Sequence, residues 1–151
     1  MDVKVAKTAG FCFGVKRAVE EVYKVAETTK GAVYTYGPII HNEEVVSDLE
    51  KKGVKVLETE EALKNLTEGT VIIRSHGVPK YIYELLEERN IAYVDVTCPF
   101  VLKIHRIVER ESKQGRHIII IGDPKHPEVV GIKGWCQGKA CLLYTSDAAD
   151  E

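Results

Sequence analysis

The sequence predicts an α/β protein of mainly parallel sheets flanked by helices. Three observations lead there. Apolar runs of strand length alternate with segments of helical apolar period along most of the chain. The links between them are short, and a β-α-β order with short links is what a parallel sheet with crossover helices produces. Finally, HIIIIG at 117–122 is apolar without alternation, as strands buried on both faces are.

The elements follow in order. Val3, Val5 and Ala6 mark a short strand over 3–6. Residues 14–30 place Val15, Ala18, Val19, Val22, Val25 and Ala26 on one helical face, with Lys and Glu opposite and Gly31 as the stop. The β-branched and aromatic run VYTYG predicts a strand over 33–37. Residues 41–53 read as a helix with Asn42 as N-cap, acids in its first turn and Gly53 after its end. A strand over 54–57 and a short helix over 60–66 come next, then a strand over 71–75. The helix over 79–90 has Pro79 in its first turn, and Pro99 opens the helix over 99–115, with a strand over 92–97 between them. The strand over 117–122 follows, and ACLLY at 140–144 suggests another.

Composition bounds the function. The 151 residues carry 21 basic and 23 acidic side chains, so the net charge is −2 with histidine neutral. Nothing broadly basic is present to neutralise phosphates, which removes the sequence-independent case for nucleic acid. No apolar run approaches the roughly 20 residues of a membrane helix, and residues 1–10 lack a signal-peptide block. A cytoplasmic protein without nucleic-acid or membrane partners is expected. Cys12, Cys98, Cys136 and Cys141 are then expected to stay reduced. Cys136 and Cys141 read as a small buried hydrophobe and a bystander thiol rather than a metal half-site. Residues 1–97 form a first α/β unit and 98–144 an incomplete second one. The TSDAADE tail at 145–151 fits neither neighbouring period, and is either a helix start or foreign sequence.

The chemistry gathers at strand ends. Cys12, His41, His76, Cys98, and His126 with Glu128 each follow a predicted strand. In a parallel sheet these ends share one side, where ligands bind. Any one of these residues alone would be a cap or core filler; five successive strand ends bearing them point to one cleft. His105 and His117, mid-helix and at a strand start, read as structural. Gly10 and Gly14 bracket Cys12, which stands between a strand end and a helix, and Thr97-Cys98-Pro99 repeats that geometry. A helix N-terminus favours the thiolate, the form that binds soft metals. The three histidines beside glycine or a helix start suit an anion such as diphosphate. Glu128 is either a proton donor or a first-turn helix acid. Three readings remain open on these residues: an iron–sulfur enzyme, a phosphate-binding module without redox chemistry, and a zinc-dependent hydrolase built on the histidines.

The segments GFCFGVKRA (10–18), YGPIIHN (36–42), RSHGVP (74–79), DVTCPFV (95–101) and HPEVVG (126–131) resemble the 4-hydroxy-3-methylbut-2-enyl diphosphate reductases, in that family's order. The resemblance implies three similar α/β units in a trefoil, of which this chain holds the first one and a half. It implies that Cys12 and Cys98 are two of three thiolate ligands of a 4Fe-4S cluster. It implies that His41, His76 and His126 bind the diphosphate and that Glu128 passes protons to the substrate. The implied reaction is reductive removal of the allylic hydroxyl, giving isopentenyl and dimethylallyl diphosphates, with ferredoxin or flavodoxin as electron donor. The family's third ligand cysteine, a threonine near the acid and a Ser-x-Asn pair have no counterpart here. The expectation is therefore an N-terminal fragment, inactive alone, whose residues 1–97 are ordered and whose 118–151 are loose or self-associating.

Overall fold

The computed structural model describes residues 2–143. Its first part is a parallel four-stranded sheet. Helix α1 (Phe13–Thr28) precedes β1 (Val33–Tyr36), and then α2 (Glu43–Lys51), β2 (Val54–Leu57), α3 (Glu60–Lys64), β3 (Thr70–Ile73), α4 (Lys80–Glu88) and β4 (Ala92–Asp95) follow. The strand order is β2-β1-β3-β4. β1 therefore lies between β2 and β3, with Val33 opposite both Val54 and Thr70. The chain runs outward from β1 to β2 and returns on the other side, so the direction of winding reverses between β1 and β3. Ligands of open α/β sheets bind in the crevice at such a reversal.

Both faces of this sheet are covered, as the apolar periods require. Ala18, Val22 and Val25 of α1 and Leu49 of α2 pack on one face with Val33, Val54 and Ile72. Leu63 of α3 and Ile82 and Leu86 of α4 pack on the other with Val71 and Ile73. The Tyr23 hydroxyl donates to Asp48 at 2.6 Å and ties α1 to α2. Asn42 accepts from the Val45 amide and Thr59 from the Ala62 amide, so α2 and α3 begin on side-chain caps. Pro79 stands at the N-cap of α4, just before the first turn.

Helix α5 (Pro99–Lys113) leads to β5 (Ile118–Ile121), α6 (Pro127–Gly134) and β6 (Ala140–Leu143). β5 and β6 form a parallel two-stranded sheet. Val108, Ile120 and Cys136 make its core, with Val129, Ile132 and Trp135 packed against them.

The structure departs from the sequence reading at three places. Residues 3–6 form no strand, and Val3 and Val5 are 80% and 79% exposed. Alternating valines suit a pleat, but a strand needs a ladder partner, and none pairs with this segment among the described residues. The 117–122 run is covered on one face only. Ile119 and Ile121 are 65% and 67% exposed while Ile120 is buried, because α5 and α6 both pack on the same side. Finally, α6 is a full helix where only a first-turn position was in view; its close-set valines and glycines give no amphipathic period to read. The tail at 145–151 lies outside the described residues.

Candidate functional site

His41 and His76 stand at the carboxyl ends of β1 and β3, on the two sides of the reversal point. Their loops are tied together there. The buried Ser75 hydroxyl donates to the Ile39 carbonyl at 3.0 Å, and the Ser75 amide donates to the same oxygen. Ile39 and Ile40 are buried beneath, so the next residue, His41, is turned out at the surface. Gly77, with φ +72°, makes the turn that follows His76, its amide bonded to the Arg74 carbonyl at 3.0 Å.

His126 arrives from the second sheet as the N-cap of α6. The three rings form one group: His41 and His76 are 4.7 Å apart between centroids, His76 and His126 6.0 Å, and His41 and His126 6.3 Å. His126 Nδ1 accepts from the Glu128 amide at 3.3 Å, which places the ring proton of the neutral form on Nε2. Glu128 is half-buried in the first turn of α6. His76 is pushed down to about 4 by burial, with the charges of His41, Arg74 and His126 adding to it. A neutral His76 therefore faces an incoming ligand, rather than the protonated donor that the reference value would supply near neutrality.

The two cysteines meet through a missing side chain. Cys12 caps α1 and Cys98 caps α5, and neither thiol makes a capping hydrogen bond. Both are free, Cys12 exposed and Cys98 partly so. A Cβ on Gly14 would stand 2.6 Å from the Cys98 sulfur, so the absence of a side chain there leaves Cys98 Sγ its space two residues from Cys12. Arg17 donates to the Thr97 carbonyl at 2.5 Å and clamps α1 to the Cys98 turn. The Cys98 amide donates to the Ser75 carbonyl at 2.9 Å, which anchors the same turn beside His76.

A cavity of about 210 Å³ lies beside His41 and His76. Phe11, Val15 and Ile40 give it apolar lining, and His41, Asn42, Ser75 and His76 give it polar lining. A larger one, about 410 Å³, shares Ile40, His41 and Asn42 and extends along α2 to Glu50. Among the described residues no three His, Cys, Asp or Glu side chains are disposed to hold a metal ion by themselves.

Sequence reasoning missed Arg17, Arg74 and Ser75. Arg74 lies over Gly37, where any side chain would overlap its guanidinium, and burial lowers its pKa. A charged residue closing the apolar run VII was the available signal. Ser75 had none, because its role is a contact across 36 positions of sequence.

The family model described as LytB protein matches residues 3–151. A 4-hydroxy-3-methylbut-2-enyl diphosphate reductase from Caldanaerobacter subterraneus subsp. tengcongensis is 50% identical over 99% of this chain and 52% of its own length. The reductase of the same name from Clostridioides difficile is 46% identical over 96% of this chain and 51% of its own. A solved (E)-4-hydroxy-3-methyl-but-2-enyl diphosphate reductase, the terminal enzyme of the non-mevalonate pathway, superposes with a TM-score of 0.79 at 40% identity, covering 95% of this chain and 51% of that one. The solved reductase from Plasmodium falciparum gives 0.83 at 31% identity, over 91% and 42%. The chain spans about half the length of the curated relatives it matches.

Proposed function

The chain belongs to the LytB protein family, and from that premise we propose that it grips an allylic diphosphate and supplies two thiolates to an iron–sulfur cluster. The reaction is reduction of (E)-4-hydroxy-3-methylbut-2-enyl diphosphate to isopentenyl and dimethylallyl diphosphates. Two electrons and two protons enter, the allylic C–O bond breaks, a C–H bond forms and water leaves. A small redox protein such as ferredoxin or flavodoxin is the proposed donor. We read the chain as two α/β units meeting after residue 97, which the separate four-stranded and two-stranded sheets support.

The observation that carries the proposal is the gathering of His41, His76 and His126, with centroids 4.7 to 6.3 Å apart, beside a cavity that Phe11, His41 and His76 line. In this reading the imidazole N–H groups hold the diphosphate. His126 does so through Nε2, because Nδ1 is engaged by the Glu128 amide. Phe11, Val15 and Ile40 cover the five-carbon chain and keep water from it. Asn42 and Ser75, which line the same cavity, hold the two histidine loops in place. Glu128 carries the proton for the departing hydroxyl in its carboxyl group.

Cys12 and Cys98 fit two positions of a thiolate ligand set. Both are free and without capping bonds, both sit at helix N-termini, and Gly14 leaves Cys98 Sγ its space. When bound, a 4Fe-4S cluster supplies electrons and a Lewis-acidic iron for the leaving oxygen.

Anaerobic reconstitution with iron and sulfide tests the reading. The chain should take up a brown chromophore that Cys12→Ser and Cys98→Ser each lose. His76→Ala should keep the chromophore and bind inorganic pyrophosphate roughly tenfold or more weakly, as loss of a hydrogen bond to a charged group predicts. A colourless chain that binds pyrophosphate would leave a phosphate-binding module. Stoichiometric zinc with hydrolytic turnover would leave the hydrolase.

A further inference from the structure

Helix α6 carries His126 at its N-cap and Glu128 in its first turn, but it belongs to the second sheet, whereas His41 and His76 belong to the first. Something must fix it across that boundary. Its far end is seated on the turn that carries His76. Any side chain on Gly134 would overlap the Pro79 ring. A Cβ on Gly131 would stand 3.4 Å from His105 Nε2 and 3.6 Å from the His76 carbonyl oxygen. Trp135, the C-cap of α6, donates its indole N–H to the Val78 carbonyl at 3.0 Å. The same indole stacks on the His105 ring at 5.2 Å and 18°, and meets Tyr83 edge-on at 5.9 Å.

His105 completes the joint from α5. It is 1% exposed, neither ring nitrogen has a hydrogen-bond partner, and Gly77 leaves the space for its ring, where a Cβ would come within 2.6 Å of Cε1. A buried imidazole that bonds to nothing contributes its shape. Trp135 is therefore not packing confined to its own sheet. It reaches 57 positions back in sequence to the residue after the Gly77 turn.

We propose that Trp135 and His105 are positioning residues for the anion site: their stack, with Gly131 and Gly134, locks α6 onto residues 76–79 and so sets where His126 and Glu128 stand relative to His41 and His76. The consequence for binding rests on reading the three histidines as a diphosphate site. An eight-residue helix is a lever about 12 Å long, so a tilt of about 10° at the Trp135 end moves His126 by about 2 Å. Displacements of that size are large for positioned hydrogen-bonding groups.

The test uses the full chain, with imidazole ring contacts and inorganic pyrophosphate affinity followed by NMR. Trp135→Ala and Gly134→Ala should lose the His76–His126 ring contact while keeping the His41–His76 contact, and should bind pyrophosphate roughly tenfold more weakly, the loss of one hydrogen bond to a charged group. Trp135→Phe, which keeps a ring on His105 without the N–H, should recover the His126 contact and most of the affinity. The proposal is overturned if Trp135→Ala and Gly134→Ala leave both ring contacts as in the unaltered chain. It is equally overturned if both contacts vanish together, because that is general loss of structure. Should the unaltered chain fail to bind pyrophosphate, the diphosphate reading falls, and the ring contacts still decide the joint.

Discussion

His76 titrates near pH 4 because it is half-buried and shares its surroundings with His41, Arg74 and His126. A bound diphosphate would reverse the charge effects, since its oxygens favour the protonated ring. Pyrophosphate binding should therefore take up protons and tighten as pH falls from 7 to 5. Calorimetry in buffers of different ionisation enthalpy reads this directly, and binding with no proton uptake across that range would contradict it. Arg74→Met should raise the titration of His76, because the guanidinium charge is one of the causes that lower it. NMR titration of the ring measures the shift. The same groups make the fold sensitive to acid. His76 and His105 are both held down to about 4 from an ordinary 6.5. The unfolded chain therefore binds more protons between those values, and stability is lost as pH falls from about 6.5 towards 4. Melting temperature followed across that interval should fall, and His105→Phe should flatten the fall. His41, His76, Cys98, His126 and Glu128 were legible as residue types after strands, whereas Cys12 follows no strand, because residues 3–6 form none. The depression of His76 was not, because it comes from burial and from neighbours on three different loops.

At the scale of the element, two helix starts carry the site. Gly14 sits in the first turn of α1, where a Cβ would stand 2.6 Å from Cys98 Sγ and 3.2 Å from Cys98 Cβ. Gly14→Ala must push apart α1 and the Cys98 turn. We expect a stability loss of about 1–3 kcal/mol, typical of overpacking, together with weaker retention of iron after anaerobic reconstitution. An unchanged melt and iron content would refute the cradle. Asn42 caps α2 through the Val45 amide at 3.0 Å and directly follows His41. Asn42→Ala should cost about 1 kcal/mol of stability in a thermal or urea melt, and should weaken pyrophosphate binding. The capped helix, with its N-cap and terminal glycine, could be read from local signals because caps are local chemistry. Residues 3–6 and α6 could not: a strand exists only with a partner, and a helix rich in glycine and valine shows no stripe until the surface it packs on is known.

Across the whole molecule, the two sheets differ in how completely they are covered. The four-stranded sheet is packed on both faces, whereas Ile119, Ile121 and Leu143 are exposed on the two-stranded one. Exposed apolar strands favour self-association. Ile119→Lys with Ile121→Lys should reduce the apparent mass in sedimentation velocity while leaving the circular dichroism unchanged, and equal masses would remove this face as the cause. Among the described residues no helix is long and apolar enough to cross a membrane. The amino-acid sequence by itself determined the α/β class, the alternation of elements, the helix caps and the placing of Cys98, His41, His76 and His126 after strands, because periodicity and turn chemistry act over a few residues. Only the tertiary structure decided the β2-β1-β3-β4 order, which puts His41 and His76 across one crevice, the Gly14 space that admits Cys98, and the Trp135–His105 joint that brings in His126. Those depend on contacts between residues tens of positions apart, whose free energy exists only once the chain has closed around them.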